Sequence, residues 1–225
     1  MSKIKSSRKI SLPWQQDAPY GAWLGCPGRL ADGRSRQNRM KYQIIYADPP
    51  WHYRNYADDT ASRWVGNQYP VMSVKDLCSL PIGDIADDNC ALFLWTTAPC
   101  LIEATKVLEA WGFTYKTKAF CWVKQNKVSM GLFTGMGYWT RSNTEDCWLA
   151  TRGHPKRADA SVHQVIMSPI QGHSQKPAIV REKIFQLMGD LPRIELFARQ
   201  KVEGWDCWGN EVDSDIDLTN TVEEI

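Results

Sequence analysis

Residues 44–51 read Ile-Ile-Tyr-Ala-Asp-Pro-Pro-Trp. A short apolar run ends on an acid, two prolines and an indole. Neither proline can donate to a strand ladder, so a sheet strand has to stop there. Asp48 to Trp51 are therefore expected to leave the carboxyl end of a strand as a stiff, preset loop, and in open α/β sheets that is where ligands bind. The loop sets a carboxylate, proline carbonyls and a stacking surface side by side, a set that suits a planar ring bearing an exocyclic amine. The plainer alternative is a structural turn with a buried tryptophan.

The rest of the chain alternates in type around this loop. Strands are expected at 43–47, 91–95, 118–123, 146–151, 162–166 and 193–198. Helices are expected at 73–80 with Ser73 as N-cap, at 99–111 between Pro99 and Gly112, and at 177–189 from Pro177 to Gly189. Residues 52–70, 125–145 and 152–160 read as loops, the second carrying Gly131, Gly135 and Gly137. Alternating strands and helices predict an α/β, Rossmann-like sheet that is at least partly parallel. At 225 residues one domain is expected, over 41–212, with a basic N-terminal extension at 1–40 and an acidic C-terminal tail at 213–225. Residues 1–41 hold nine Lys and Arg against Asp17 and Asp32, and residues 211–225 hold six acids and no base. A basic arm suits a polyanionic partner.

Several classes are disfavoured. No run approaches membrane-spanning length, and the amino terminus has charge but no apolar stretch of a signal peptide. The seven cysteines are odd in number and form no Cys-x-x-Cys pair, and the four histidines lack metal-ligand spacing. Free thiols in a reducing cytoplasm and no metal are the expectation. Most of the eleven tryptophans fall in apolar strands and read as core, with Trp51 the main exception.

An aromatic amine such as that of adenine is a poor nucleophile, because its lone pair is delocalised into the ring. Acceptors on its two protons help the nitrogen turn toward tetrahedral geometry. Asp48 can take one proton and the carbonyl of Pro49 the other, while Trp51 or a nearby tyrosine stacks on the ring. The Asp48 charge also suits a cationic sulfonium donor. Positioning and electrostatics, without a covalent intermediate, would then carry the rate.

Other residues join this reading. Lys176 directly precedes Pro177, and a helix start with an added ammonium attracts a carboxylate, although a surface lysine would read the same way. Glu195 lies inside the apolar run Ile-Glu-Leu-Phe, where a carboxylate is usually paired or functional, and ribose hydroxyls are natural partners. Two loops interleave aromatic and basic residues, as suits flipped or single-stranded nucleic acid. The first carries Tyr53, Asn55 and Tyr69. The second carries Lys124, Lys127, Tyr138, Trp139, Arg141 and Asn143. Solvated loops with buried aromatics are the competing explanation. A third patch, Arg152, His154, Lys156 and Arg157, suits phosphate. No insertion is long enough for a separate recognition domain, so a short or degenerate target is expected.

Four segments together resemble the MT-A70 family of adenine N6-methyltransferases, which use S-adenosylmethionine. They are Ala-Asp-Pro-Pro-Trp at 47–51, Ala-Leu-Phe-Leu-Trp at 91–95, His173-Ser-Gln-Lys-Pro177, and Ile194-Glu-Leu-Phe-Ala-Arg199 with Gly-Trp-Asp-Cys-Trp-Gly-Asn at 204–210. The resemblance implies a methyltransferase sheet in circularly permuted order, with the catalytic loop before the cofactor strand. It implies that Asp48, Pro49, Pro50 and Trp51 form the catalytic loop. It also implies that Asp48, Lys176, Glu195, Arg199 and Asn210 hold S-adenosylmethionine, with Glu195 and Arg199 on the ribose side and Asn210 on the adenine side. Tyr53, Asn55, Tyr69, Trp139 and Arg141 would then meet the nucleic acid. The chain departs from the eukaryotic members at Val202, where they carry Asn, and at Glu211, where they carry Gln. The resemblance favours DNA as substrate. RNA on the same scaffold is the alternative, a non-catalytic partner subunit a further one, and a homodimer or a related subunit the expected company.

Overall fold

The computed structural model describes residues 41–52, 71–135, 137, 139–172 and 174–218. Seven strands form one sheet in the order β5-β3-β4-β2-β1-β6-β7. β1 spans Tyr42–Ala47, β2 Ala86–Thr96, β3 Thr114–Gln125, β4 Thr144–Arg152, β5 Val165–Pro169, β6 Arg193–Leu196 and β7 Asp206–Trp208. β1 runs parallel to both β2 and β6, and β6 parallel to β7. β4 is antiparallel to β2 and β3, and β5 is parallel to β3. The sheet is thus mixed, with the antiparallel strand β4 set between β2 and β3.

β1 is buried on both faces, which is why it reads as an unbroken apolar run. Ile45 and Ala47 face one core cluster and Ile44 and Tyr46 the other. The first cluster packs α1 (Val74–Ser79), α2 (Ile82–Ile85) and α3 (Leu101–Ala110) through Leu77, Ile82, Ala104, Val107 and Leu108. The second packs α4 (Ile179–Met188) through Val180, Ile184 and Met188. Helices therefore cover both faces. Ser73 caps α1 as expected, its hydroxyl accepting from the Asp76 N–H at 3.2 Å.

The differences from the sequence reading have physical causes. β3 runs longer than the apolar window 118–123 because ladder bonds with β4 recruit polar residues at its start, Thr114 pairing with Thr151, and β2 runs back past 91–95 to Ala86, which pairs with Tyr42 of β1. β5 lies at 165–169 rather than 162–166, since pairing with Cys121–Gln125 and burial of Ile166 set its register. α4 begins at Ile179, two residues past Pro177. α2 and β7, of four and three residues, carry no periodicity to read. Residues beyond 212 also contact the body. Asp215 accepts the Cys207 N–H at 2.9 Å, and Leu218 is buried, because apolar Ile216 and Leu218 sit among the acids. The extension 1–40 and residues 219–225 lie outside the described residues. No described helix is long and apolar enough to cross a membrane.

Candidate active site

The sheet register builds the site. Ala47 pairs with Leu94 on one side and Leu196 on the other, and Leu196 pairs with Trp208. Three adjacent parallel strands, β1, β6 and β7, thus end in one row, and the segments that follow them emerge side by side. Asp48–Pro50, then Phe197, Arg199 and Gln200, and Asn210–Glu211 line one cleft of about 350 Å³. The segment between β5 and α4 crosses the same edge and adds Ser174, Gln175 and Lys176 to the wall, while Tyr46, Arg181 and Glu195 complete it. The volume falls in the range of small-molecule and cofactor sites.

The Asp-Pro-Pro-Trp loop is fixed from several sides. Met72 donates its N–H to the Pro50 carbonyl at 2.8 Å, and Trp51 N–H donates to the Pro49 carbonyl at 2.9 Å. The Trp51 indole donates to the Trp95 carbonyl at 3.0 Å and is only 5% exposed. Trp51 is therefore packed among the core residues, where its indole braces the loop. The Trp95 indole in turn donates to the hydroxyl of Tyr46, a residue of the cleft wall, at 2.7 Å.

Lys176 ties the site together. Its ammonium donates to Asp48 Oδ2 at 2.8 Å and to the Ser174 carbonyl at 3.2 Å, and sits 3.3 Å from Glu145 Oε2. It also lies 5.5 Å from the centre of the Trp95 ring. Lys124 pairs with the other oxygen of Glu145 at 2.6 Å. Burial opposes the Lys176 charge, but Asp48 and Glu145 outweigh it and hold the ammonium above the ordinary lysine range. Burial also raises Asp48 above its usual value, with Lys176 pulling the other way. In Glu145 burial is outweighed by Lys176 and Lys124, so its carboxyl titrates low. Lys176 stands two residues before the α4 cap, Ala178, and is held there by Asp48 and Glu145.

On the far wall Arg181 grips Glu195 with two bonds, Nε to Oε2 at 2.6 Å and Nη2 to Oε1 at 2.8 Å. Burial raises the Glu195 carboxyl, and Arg181 offsets part of this. Arg199 Nε lies 3.4 Å from Glu211. Among the described residues only two non-glycine residues have positive φ, Ser174 (55°) and Phe197 (61°), and both line this cleft. Such strain collects at functional sites.

Of the residues expected from sequence, Asp48, Pro49, Pro50, Lys176, Glu195, Arg199 and Asn210 all line the cleft. Tyr53, Asn55, Tyr69 and Tyr138 lie outside the described residues. Trp139 and Arg141 are exposed on the connection from β3 to β4 and do not line the cleft. Lys124 is not a loop cation: it stands in β3, committed to Glu145. Arg152 is not a phosphate ligand at this site. It ends β4 at the opposite edge of the sheet, and it donates to the Gly83 carbonyl at 2.6 Å. Glu145 and Arg181 were missed by sequence reasoning. Each is a charge at the edge of an apolar element, and a buried charge needs a partner.

The MT-A70 family model matches residues 42–211. The type II methyltransferase M.MunI of Mycoplasma sp is 35% identical over 191 residues, covering 77% of this chain and 79% of that protein. The N(6)-adenine-specific methyltransferase METTL4 of Homo sapiens is 26% identical over 197 residues, covering 77% of this chain and 38% of that protein. The N6-methyladenosine RNA methyltransferase MTA1 of Pyricularia oryzae is 26% identical over 190 residues, covering 78% and 48%.

Proposed function

The chain belongs to the MT-A70 family of S-adenosylmethionine-dependent adenine N6-methyltransferases, and on that premise we propose that it methylates the exocyclic amine of adenine in DNA. The observation that carries the reading is Asp48, at the end of β1, ion-paired with Lys176 at 2.8 Å in a cleft also lined by Arg199 and Asn210. The cleft's three acids, Asp48, Glu195 and Glu211, match its three bases, Lys176, Arg181 and Arg199. That balance suits a ligand bearing both signs, and S-adenosylmethionine carries a carboxylate, an ammonium and a sulfonium.

When bound, S-adenosylmethionine supplies the electrophilic methyl group. Lys176 would hold its carboxylate, Glu195 and Arg199 its ribose side and Asn210 its adenine side. The Arg181 clamp keeps the Glu195 carboxylate in one orientation, with lone pairs left for hydroxyl donors. Asp48 accepts one proton of the target amine and offsets the positive charge that builds on its nitrogen during transfer. The Pro49 carbonyl, bonded once to Trp51 N–H, keeps a second lone pair for the other proton. Tyr53, Asn55, Tyr69, Trp139 and Arg141 would receive the nucleic acid.

DNA is favoured over RNA by coverage. The relative named a type II methyltransferase, a designation that belongs to DNA modification, is matched over 79% of its length, the RNA methyltransferase over 48%. Tritium transfer from labelled donor to DNA and RNA, single- and double-stranded, with mass spectrometry of the product nucleosides, tests this. N6-methyladenine in DNA is expected. Methylcytosine as main product would overturn the base, and transfer to RNA far above that to any DNA would overturn the substrate.

A further inference from the structure

Beyond Gln125 the β3 strand folds back on itself. Gln125 bridges Leu132, Asn126 N–H donates to the Gly131 carbonyl at 3.2 Å, and Phe133 N–H donates to Lys124 at 2.8 Å. This closed hairpin presents Val128 at 100% exposure and Met130 at 103%, as bare as in a free peptide. Isolated exposed apolar residues are ordinary. Here two stand together on one tip, with Trp139, 99% exposed, further along the same connection. Lys127 and Arg141 flank them and are exposed.

The base of the hairpin is tied to the chemistry. That base, Lys124, bonds Glu145 at 2.6 Å. Glu145 lies 3.3 Å from Lys176, and Lys176 bonds Asp48 at 2.8 Å. From Gln125 the tip projects roughly 10 Å, three residues at strand rise. A major groove is about 12 Å wide and about 8.5 Å deep and admits a two-stranded ribbon. Val and Met offer no hydrogen bonds with which to read bases, but apolar side chains, Met among them, part base steps where proteins enter the minor groove.

Resting on the DNA reading above, we propose that the 126–132 hairpin is a wedge: Val128 and Met130 enter the duplex and fill the space that the target adenine leaves, while Lys127 and Arg141 hold phosphates beside it. An adenine inside a duplex cannot reach Asp48 without leaving the stack, and the cost of a few kcal/mol is least for unpaired bases. The wedge lowers that cost, so it matters for duplex and not for single strands.

The test replaces both tip residues, Val128→Ser with Met130→Ser, and measures methyl transfer onto the same DNA supplied as duplex and as separated strands. The duplex rate should fall about tenfold or more and the single-strand rate stay within about twofold. Duplexes whose adenines face abasic positions should restore the rate. Equal loss on both forms, or no loss on duplex, overturns the wedge while leaving the methyltransferase reading intact. A change in oligomeric state by sedimentation also overturns it, because the tip would then serve a second copy. If the unaltered protein methylates no DNA, the proposed substrate fails and the wedge with it. An unchanged melting temperature excludes misfolding of the variant.

Discussion

The Lys176 ammonium donates to Asp48 and to the Ser174 carbonyl and lies within ion-pair distance of Glu145. Removing it leaves two partly buried carboxylates facing each other. Lys176→Ala should therefore cost about 3 kcal/mol of stability, the low end for a broken buried pair because Asp48 and Glu145 keep 30% and 22% of their side-chain exposure. A denaturant melt measures that, and calorimetry on the folded variant should show donor affinity down by about tenfold or more. Unchanged affinity would remove Lys176 from the donor site. Asp48 gives the pH dependence. Its carboxyl is raised by burial, and transfer needs the charged form, so activity should fall on acidification at a pH above the ordinary aspartate value of about 3.9. Asp48→Asn should lose most of the turnover and this acid limb together while the fold survives. A variant with near-normal turnover would end the amine-acceptor role. Asp48 and Lys176 were legible because prolines mark their places. Arg181 was not, because nothing in a helical run says which charge turns inward; its pairing with Glu195, 14 positions further on, is set by tertiary packing alone.

At the scale of elements, the end of β7 depends on a close approach. A Cβ on Gly209 would stand 2.1 Å from the Ala198 carbonyl oxygen and 2.7 Å from its nitrogen. That contact, with the Ala198 N–H donating to the Trp208 carbonyl at 3.0 Å, holds the segment after β7 against the segment after β6 and brings Asn210 to the cleft. Gly209→Ala should cost about 1–3 kcal/mol, the usual cost of overpacking, and weaken donor binding more than distant changes of equal cost. A thermal melt with donor titration checks both. Full donor affinity in a destabilised variant would separate Asn210 from the site. Gly209 is visible in the sequence, but the need for it comes from β6, which packs alongside. The same holds for strand ends. The centres of β1, β2 and β6 were legible from apolar runs, whereas the polar start of β3 is a strand only because β4 lies beside it.

For the whole molecule, sheet order is the least legible property. β1 is joined to β6 across almost the whole intervening chain, and only the shared row Ala47, Leu196 and Trp208 turns separate motifs into one cleft. Charge is legible, and it divides the chain. Of 27 Lys and Arg, eight lie in residues 1–40 with two acids, leaving 19 against 23 acids in the remainder, a net charge of −4. A body of that sign is not drawn to a polyanion by its net charge. Attraction to phosphate then has to come from the extension and from local cations such as Lys127 and Arg141. Each phosphate neutralised contributes about 0.9 to the slope of log affinity against log salt on duplex DNA. Deleting residues 1–40 should therefore weaken DNA binding at low salt and flatten the slope, leaving S-adenosylmethionine affinity unchanged, because that cleft is built from residues 46–211. Fluorescence anisotropy across a salt series reads the slope. Equal slopes for the full chain and the truncated one would show that the extension holds no phosphate, and would assign the whole electrostatic attraction to local cations of the body.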